Sequence, residues 1–264
     1  MKIATWNVNS IRTRLTHATD WLTTNPDVDL LCLQETKVPD ELFPQAAFEA
    51  IGYTTEFFGQ KSYNGVALIS KTKIEDVRFG FADVLSEAAI EELDDQKRVI
   101  SCVIQGIRVV NVYVPNGSEI DSDKYVYKLR WLTLLKDYLA ALLSESPSLL
   151  ICGDFNIALE DIDIYNPKTR ATHVMSSDME RSALLNVLSL GLQDAFRKFN
   201  LEEGQYSWWD YRSGSFQRNS GWRIDHHYLT PDLYEQATGC VIDPEPRKRE
   251  QPSDHTPVIV EIPG

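Results

Sequence analysis

The feature that most constrains this fold is a series of short segments in which apolar residues occupy consecutive positions. Runs such as DLLCLQ and SLLICGD do not alternate between apolar and polar side chains. Because neighbouring side chains of a strand point to opposite faces, such runs are typical of strands that are covered on both faces. The sequence predicts strands over residues 2–6, 29–33, 65–70, 99–104, 107–114, 149–152, 224–229 and 257–262.

Helical patterns lie between these strands, over residues 11–24, 40–51, 122–143 and 177–190. The last one begins with a capping box, Ser177 followed three residues later by Glu180, and ends before Gly191. Strands and helices mixed in this order favour a layered α/β sandwich. No Gly/Ser-rich or Pro-rich linker interrupts the chain, so we expect a single domain over residues 1–264.

The charge balance limits the ways in which this protein could bind a polyanion. The chain has 39 acidic and 26 basic residues and a formal net charge of −13, which disfavours binding of polyanions through an overall positive field. A locally basic face or a bound metal would still allow contact with nucleic acid. Residues 83–95 hold six of the acids and no base, and we expect this acidic segment to be a solvated surface.

The cysteines and the hydropathy indicate the cellular setting. The four cysteines stand in apolar runs without a CxxC pair, which predicts buried, reduced thiols. The apolar part of the N-terminus is too short for a signal peptide, and no stretch approaches the ~20 apolar residues that span a bilayer. We therefore expect a cytoplasmic protein without a membrane segment.

Polar side chains interrupt the predicted strands at their ends, which is where α/β proteins usually assemble sites. They are Asn7, Glu35, Tyr113, Asn116, Asp154, Asn156, Asp225, Asp254 and His255. Each alone is explained by a helix cap or a turn, but together they suit a hard divalent ion such as Mg²⁺ or Mn²⁺. P-loop, GxSxG, HExxH and GxGxxG motifs are missing. The inventory favours metal-assisted hydrolysis of a phosphate ester.

Seven motifs in order carry a resemblance to a known family: NVNSIR, LQETK, NGVALISK, VYVPNG, GDFNIA, GWRIDHHYLT and SDHTP. Together they resemble the exonuclease III family of abasic-site endonucleases, within the endonuclease/exonuclease/phosphatase superfamily. The resemblance covers residues 1–262. It implies a four-layered α/β sandwich, two packed mixed β-sheets flanked by helices. It also implies a Mg²⁺-dependent DNA-repair phosphodiesterase that cleaves duplex DNA 5′ to abasic sites and has 3′–5′ exonuclease and 3′-end trimming activity.

The same resemblance implies roles for the polar residues. The metal set is Asn7, Glu35, Asp154, Asn156, Asp254 and His255, with Glu35 as the principal Mg²⁺ ligand. The catalytic set is Tyr113, Asp154, Asn156, Asp225 and His255. Asp154 would activate the attacking water, and His255, oriented by Asp225, would contact the phosphate. Whether one or two metals act, and whether Asp154 or His255 is the general base, stays open.

The substrate-binding set implied by the resemblance has two parts. Trp208, Trp222 and Ile224 correspond to a pocket for a flipped-out abasic sugar, although ordinary core packing also explains such side chains. Arg12, Lys37 and Asn116 would contact the DNA backbone. Arg212, Arg218 and Arg223 flank the pocket segment, where Arg223 would bind substrate and a solvated surface is the alternative. We expect Arg12, Lys37, Arg212 and Arg223 to form a locally basic face.

The expected partner is double-stranded DNA with abasic sites or blocked 3′ ends, bound by a monomer in the cytoplasm in association with the nucleoid. Two alternatives stay open. One is hydrolysis of another phosphate ester, RNA or a lipid or inositol phosphate, by an enzyme of the same superfamily. The other is a catalytically inactive nucleic-acid-binding regulator, which would have lost ligand residues that this chain retains.

Overall fold

Strands form at every predicted apolar run, and further short strands complete two sheets. The computed structural model describes residues 1–263. Its strands are β1 (Lys2–Asn7), β2 (Leu30–Gln34), β3 (Thr54–Phe58), β4 (Val66–Ser70), β5 (Glu75–Phe79), β6 (Val99–Ile104), β7 (Ile107–Tyr113), β8 (Leu149–Asp154), β9 (Gln193–Asp194), β10 (Asp225–Leu229), β11 (Gly239–Ile242) and β12 (Val258–Glu261). Its α-helices are α1 (Ile11–Thr24), α2 (Gln45–Glu49), α3 (Glu87–Ile90), α4 (Asp123–Glu145), α5 (Asp178–Leu188), α6 (Ala195–Phe199) and α7 (Pro231–Gln236).

Each sheet has six strands and one parallel pair near its centre. The first sheet has the order β11-β12-β1-β2-β4-β3, and the second β5-β6-β7-β8-β10-β9. The pairs β1/β2 and β7/β8 are parallel, and their neighbours are antiparallel. Both sheets are therefore mixed, and in each the carboxyl ends of two central strands meet at one edge.

Side chains alternate between two cores along the central strands. On β8, Leu150 and Cys152 face the core between the sheets, while Leu149 and Ile151 face the helices outside. The first sheet has the same arrangement, with α1 and α2 packed on its outer face, and α4 and α5 cover the second sheet. The consecutive apolar runs are thus covered on both faces, and the predicted four-layered α/β sandwich is confirmed.

The helix predictions agree with the structure except at one proline. Helix α1 has the predicted bounds, and Ser177 and Glu180 form the predicted capping box of α5. The continuous helix expected over residues 40–51 is wrong. A 3-10 turn over Asp40–Leu42 is separated from α2 by Pro44, because proline disfavours helical backbone in the residue before it.

The acidic segment of residues 83–95 lies on the surface and is anchored by three of its side chains. It forms α3 and a following 3-10 turn, and Ile90 and Leu93 pack into the outer core of the second sheet. The carboxylate of Asp94 accepts hydrogen bonds from the backbone of Phe81 and Ala82. The five other acids of the segment are exposed, so the predicted solvated surface is confirmed, and these three side chains anchor it.

A buried polar contact joins the two sheets next to the site. Gln34 Nε2 donates to Asn111 Oδ1 at 2.7 Å, and Asn111 Nδ2 donates to the carbonyl oxygens of Leu33 and Ala67 at 2.9 and 3.1 Å. Because unpaired amides are costly in a core, these bonds favour one relative placement of the sheets. All four cysteines are buried and free, as predicted. None of the helices within residues 1–263 combines the length and apolar character needed to cross a bilayer.

Candidate active site

The predicted polar residues meet at one edge of the sandwich, where strands of both sheets end. Asn7 ends β1, Glu35 follows β2, Tyr113 ends β7 and Asp154 ends β8. Asp225 begins β10, which runs antiparallel to β8 and lies opposite Asp154 in the register. Asn7 Nδ2 donates to Glu35 Oε1 at 2.8 Å and to Asp154 Oδ2 at 2.9 Å. This one amide therefore links carboxylates that follow strands of different sheets.

A buried histidine is held between two carboxylates. His255 Nδ1 lies 2.8 Å from Asp225 Oδ2, and its Nε2 lies 3.6 Å from Asp154 Oδ2. Burial disfavours charge on the imidazole, but the carboxylates of Asp225 and Asp154 overcome this effect and raise the pKa of His255 to about 10. At neutral pH the ring is an imidazolium, with Nδ1–H donating to Asp225 and Nε2–H directed toward Asp154.

Burial disfavours the ionised form of the Asp154 carboxyl. The side chain is buried, its Oδ1 accepts from the Asn156 backbone N–H at 2.9 Å, and burial raises the pKa of the carboxyl to about 7. His255 lowers this pKa and Asp225 and Glu35 raise it. A positive charge brought near Asp154 would therefore favour the ionised form.

Glu35 stands at the solvent side of the cluster. Its backbone is left-handed, with φ of 51°, and Lys37 Nζ lies 2.7 Å from its Oε2. Burial and the Glu35 carboxylate hold the pKa of the Tyr113 phenol well above its ordinary value, so the hydroxyl keeps its proton at neutral pH and can donate a hydrogen bond. Arg98, which the sequence reasoning missed, lies 4.5 Å from the centroid of the Tyr113 ring and donates to the Tyr113 carbonyl.

The donor set fits a divalent cation at Glu35 and Asp154. Ligand atoms of Glu35, Asp154 and His255 lie within 4.8 Å of one another, and the nearby carboxylates outnumber the cations His255 and Lys37. Such a surplus of oxygen anions suits Mg²⁺ or Mn²⁺. The bond from Nδ1 to Asp225 leaves Nε2 as the ring atom that faces Asp154, an arrangement that is common at metal-ligating histidines.

Two other predicted metal ligands lie close by but have other partners. Asp254 is outside the group of three, and its oxygens accept from Asn9 Nδ2 at 3.1 Å and Trp208 Nε1 at 3.0 Å. Asn156 Nδ2 donates to the Val114 carbonyl at 3.0 Å, while its Oδ1 accepts from Asn116 Nδ2 at 3.0 Å. The geometry favours orienting roles for both residues.

The predicted aromatic pocket lies beside the charged cluster. Trp208 and Trp222 are half-buried and meet edge to face with ring centroids 6.4 Å apart, and Trp208 also forms a bridge to His255. Ile164, Met175 and Ile224 pack beneath them. Trp209 is buried, and its ring meets that of Phe216 edge to face. The structure thus brings Trp208, Trp222 and Ile224 together at the site.

The prediction that Arg223 contacts DNA is contradicted by its position. The side chain is only 1% exposed, and its guanidinium is paired with Asp163 and Asp194 and lies 3.0 Å from His226 Nδ1. A guanidinium with its donors bonded inside the protein does not reach a phosphate. Arg12, Arg212 and Arg218 are exposed, Asn116 is exposed beside the site, and Lys37 is half-buried against Glu35.

Ser207 is a second residue that the sequence reasoning missed. Its hydroxyl donates to Asp225 Oδ2 at 2.7 Å and accepts from the backbone N–H groups of Ile224 and Asp225. It thereby fixes the carboxylate that orients His255. No local pattern in QYSWWD points to this role, because the contact joins segments that are 18 residues apart.

Comparison with known proteins gives the chain a family setting. Residues 4–255 match the model of the endonuclease/exonuclease/phosphatase family. The chain is 35% identical to an exodeoxyribonuclease of Bacillus subtilis, over 98% of each chain. Among solved structures, an AP endonuclease from Archaeoglobus fulgidus has a TM-score of 0.92 and 43% identity, and the 3′ phosphatase NExo from Neisseria, bound to product DNA hairpin, has 0.94 and 39%. Both structures are covered over the full length of each chain.

Proposed function

Because the chain belongs to the endonuclease/exonuclease/phosphatase family, we propose that it is a metal-dependent DNA-repair nuclease. It cleaves duplex DNA on the 5′ side of abasic sites and has 3′–5′ exonuclease and 3′-end trimming activity. The observation that carries the proposal is the juxtaposition of the Glu35, Asp154 and His255 group with the Trp208–Trp222 pocket. The first part suits hydrolysis of a phosphodiester and the second suits a nucleotide that lacks its base.

The geometry favours a division of labour between Asp154 and His255. An imidazolium with a pKa of about 10 has no free site for a proton at neutral pH, so His255 is not the base. Asp154 accepts the proton of the attacking water, and Asn156 orients that water. His255 and the Tyr113 hydroxyl stabilise the charge that develops on the phosphate oxygens.

Glu35 and Asp154 would hold the cation, with Asn7 fixing their relative positions through its amide. A bound Mg²⁺ or Mn²⁺ supplies a Lewis acid that neutralises negative charge on the phosphate and the leaving oxygen. Near the cation, His255 contacts the phosphate and Asn156 orients the attacking water. Asp254 accepts hydrogen bonds from Asn9 and Trp208. The binding of DNA then depends on Arg12, Lys37, Asn116, Arg212 and Arg218 at the rim.

The test is a gel assay on duplexes that carry an abasic site, a 3′-phosphate or a recessed 3′ end, with Mg²⁺, Mn²⁺ or EDTA. We expect cleavage at the abasic site and conversion of the 3′ ends only with a divalent ion. RNA and an inositol phosphate are the comparison substrates. Rapid turnover of either one, with an intact abasic duplex, would establish the alternative phosphodiesterase. Binding of DNA without turnover of any substrate would establish the inactive regulator.

We also propose that the protein acts as a monomer on chromosomal DNA in the cytoplasm. The contacts among Asn7, Asp154, Asp225 and His255 all form within one copy of the chain, which supports the proposal. Light scattering at working concentrations tests this. A dimer whose dissociation abolishes cleavage would contradict the proposal.

A further inference from the structure

A lysine is buried beneath the amide pair of Asn116 and Asn156. Lys128 stands on α4, and its side chain is fully buried. Its Nζ donates to the Asn116 carbonyl at 3.1 Å, to the Asn156 carbonyl at 2.8 Å and to Glu180 Oε1 at 2.5 Å. An ammonium has three N–H donors, and here all of them are used inside the protein. Lys128 therefore does not itself reach a phosphate.

The two carbonyls belong to the loops that carry the site residues after β7 and β8. The side chains of the same two residues are also bonded to each other, because Asn116 Nδ2 donates to Asn156 Oδ1 at 3.0 Å. The backbone of Asn156 is left-handed, with φ of 49°, a conformation in which asparagine is enriched among residues other than glycine. One ammonium thus fixes the main chain of both residues, and their side-chain amides fix each other.

The partner carboxylate is itself held rigidly. Glu180 Oε1 also accepts from the Met175 backbone N–H at 2.9 Å, and Oε2 accepts from the backbone N–H and the hydroxyl of Ser177 at 3.1 and 2.6 Å. Met175 packs in the apolar cluster beneath Trp222. The Lys128–Glu180 pair therefore connects α4, α5 and the floor of the aromatic pocket to the amide pair.

We infer that Lys128 is a positioning residue for hydrolysis, which acts by holding Asn116 and Asn156 in the orientation that the phosphate and the attacking water require. The inference rests on the proposed function. Stability alone gives no reason for the pair, because replacing a buried ion pair with uncharged groups of similar volume is often neutral or stabilising. The two carbonyl contacts are what an uncharged replacement would lose.

The decisive variant removes both charges together. Lys128→Met alone would leave a buried, unpaired carboxylate and endanger folding, whereas Lys128→Met with Glu180→Gln leaves no buried charge and keeps an amide at the α5 cap. We expect kcat on the abasic duplex to fall by about 10- to 100-fold, with KM changed less than about threefold, because misplaced catalytic groups act on the chemical step. An unchanged kcat would overturn the inference.

A cycle with Asn116→Ala and Asn156→Ala together separates positioning from general damage. If Lys128 acts through the amide pair, the charge-removing pair of substitutions should lower kcat by less than about twofold in this doubly substituted background. A purely structural defect would reduce the active fraction equally in both backgrounds, so the losses would multiply. That result would contradict the inference.

A matched control is available at the opposite end of β7. Arg108 is buried there, donates to the Asp76 carbonyl at 2.8 Å and is paired with the Asp76 carboxylate. Arg108→Met with Asp76→Asn removes an ion pair far from Tyr113 along the strand, in which the arginine is buried and the aspartate is exposed and also paired with Arg78. We expect this control to change the melting temperature and to leave kcat and KM on the abasic duplex unchanged.

A readout without turnover keeps the inference separate from the proposed function. The side-chain amide resonances of Asn116 and Asn156 in NMR spectra should shift, and their hydrogens should exchange faster, in the charge-removing variant. If the wild-type protein did not cleave an abasic duplex, the proposed function would fail, but these resonances would still decide whether Lys128 holds the amide pair. Unchanged resonances would refute the positioning role.

Discussion

At the scale of single residues, the site depends on two buried titratable groups, the imidazole of His255 and the carboxyl of Asp154. His255 is charged because Asp225 and Asp154 surround it, and the pKa of Asp154 is raised by burial and by the other carboxylates. In the sequence, His255 and Asp254 are neighbours, which says nothing about which carboxylate orients the ring. The structure assigns this role to Asp225, as the residue types and the resemblance predict.

The Asp154→Asn variant tests the general base. The amide keeps the shape of the side chain but accepts a proton far less readily, so we expect turnover of the abasic duplex to fall by several orders of magnitude. Binding of the duplex, measured by fluorescence anisotropy in Mg²⁺, should be largely intact. Near-normal turnover would remove Asp154 from its assigned role.

The charge on His255 should appear as a pH dependence of stability. Its folded pKa of about 10 lies above its ordinary value of 6.5, so its contribution is complete below pH 6.5 and is lost as the pH rises toward 10. We expect the melting temperature of the wild-type protein in EDTA to fall over this window. His255→Gln should be less stable at pH 6 and show a flatter decline, and equal slopes for the two proteins would disprove the raised pKa.

At the scale of elements, segments distant in the sequence build the aromatic pocket. Trp208 pairs with Trp222 and with His255 through isolated bridges, and its Nε1 donates to Asp254 Oδ2. Trp208→Ala should reduce cleavage at abasic sites more than trimming of recessed 3′ ends, because only the former needs a fitted pocket. Trp208→Phe is the control that keeps an aromatic ring and loses the indole N–H. Equal losses on both substrates for the alanine variant would contradict the pocket assignment.

Arg223, which is buried just before β10, gives a prediction about the free energy of unfolding. Arg223→Met should destabilise the fold by about 3–5 kcal/mol, because it leaves Asp163 and Asp194 buried near each other without their shared cation. Urea unfolding measures the loss, and exposed Arg218→Met, expected to change stability by less than about 0.5 kcal/mol, is the control. An equal effect of the two substitutions would show that Arg223 is not buried as described.

The elements that the sequence predicted are those with strong periodicity or clear caps, such as the central strands and α1. It missed β3, β5, β9 and β11, which are short or partly exposed and lie toward the edges of the sheets, where burial gives little pattern. It also missed Lys128, although a lysine among Tyr125, Leu132 and Leu135 at helical spacing indicates a charge on a buried face. Ser207 and Arg98 act through contacts that no local pattern encodes.

At the scale of the whole molecule, one polar edge unites the two sheets. Asn7 and Glu35 come from the first sheet, and Tyr113, Asp154 and Asp225 come from the second, so the site exists only when the sheets are packed. Gln34 and Asn111 fix that packing within the adjacent core. This dependence of the site on both sheets is consistent with one domain over residues 1–264, which stays a prediction.

The net charge of −13 requires that DNA be met by a local set of cations. With Arg223 excluded, exposed Arg12, Arg212 and Arg218 are candidates for that set, because no acidic residue forms an ion pair with any of them among residues 1–263. In the non-cleaving Asp154→Asn background, Arg12→Ala should weaken binding to duplexes of any sequence.

The same substitution should also reduce the slope of log affinity against log salt concentration by about 1, the contribution of one neutralised phosphate. Arg130→Ala makes the identical change in net charge at a side chain that is already paired with Glu91 and Glu92 of the acidic segment, so its slope should equal that of the parent. Equal slopes for all three proteins would mean that Arg12 does not contact the backbone. Equal reductions in the two variants would mean that total charge, and not a local basic rim, governs the encounter with DNA.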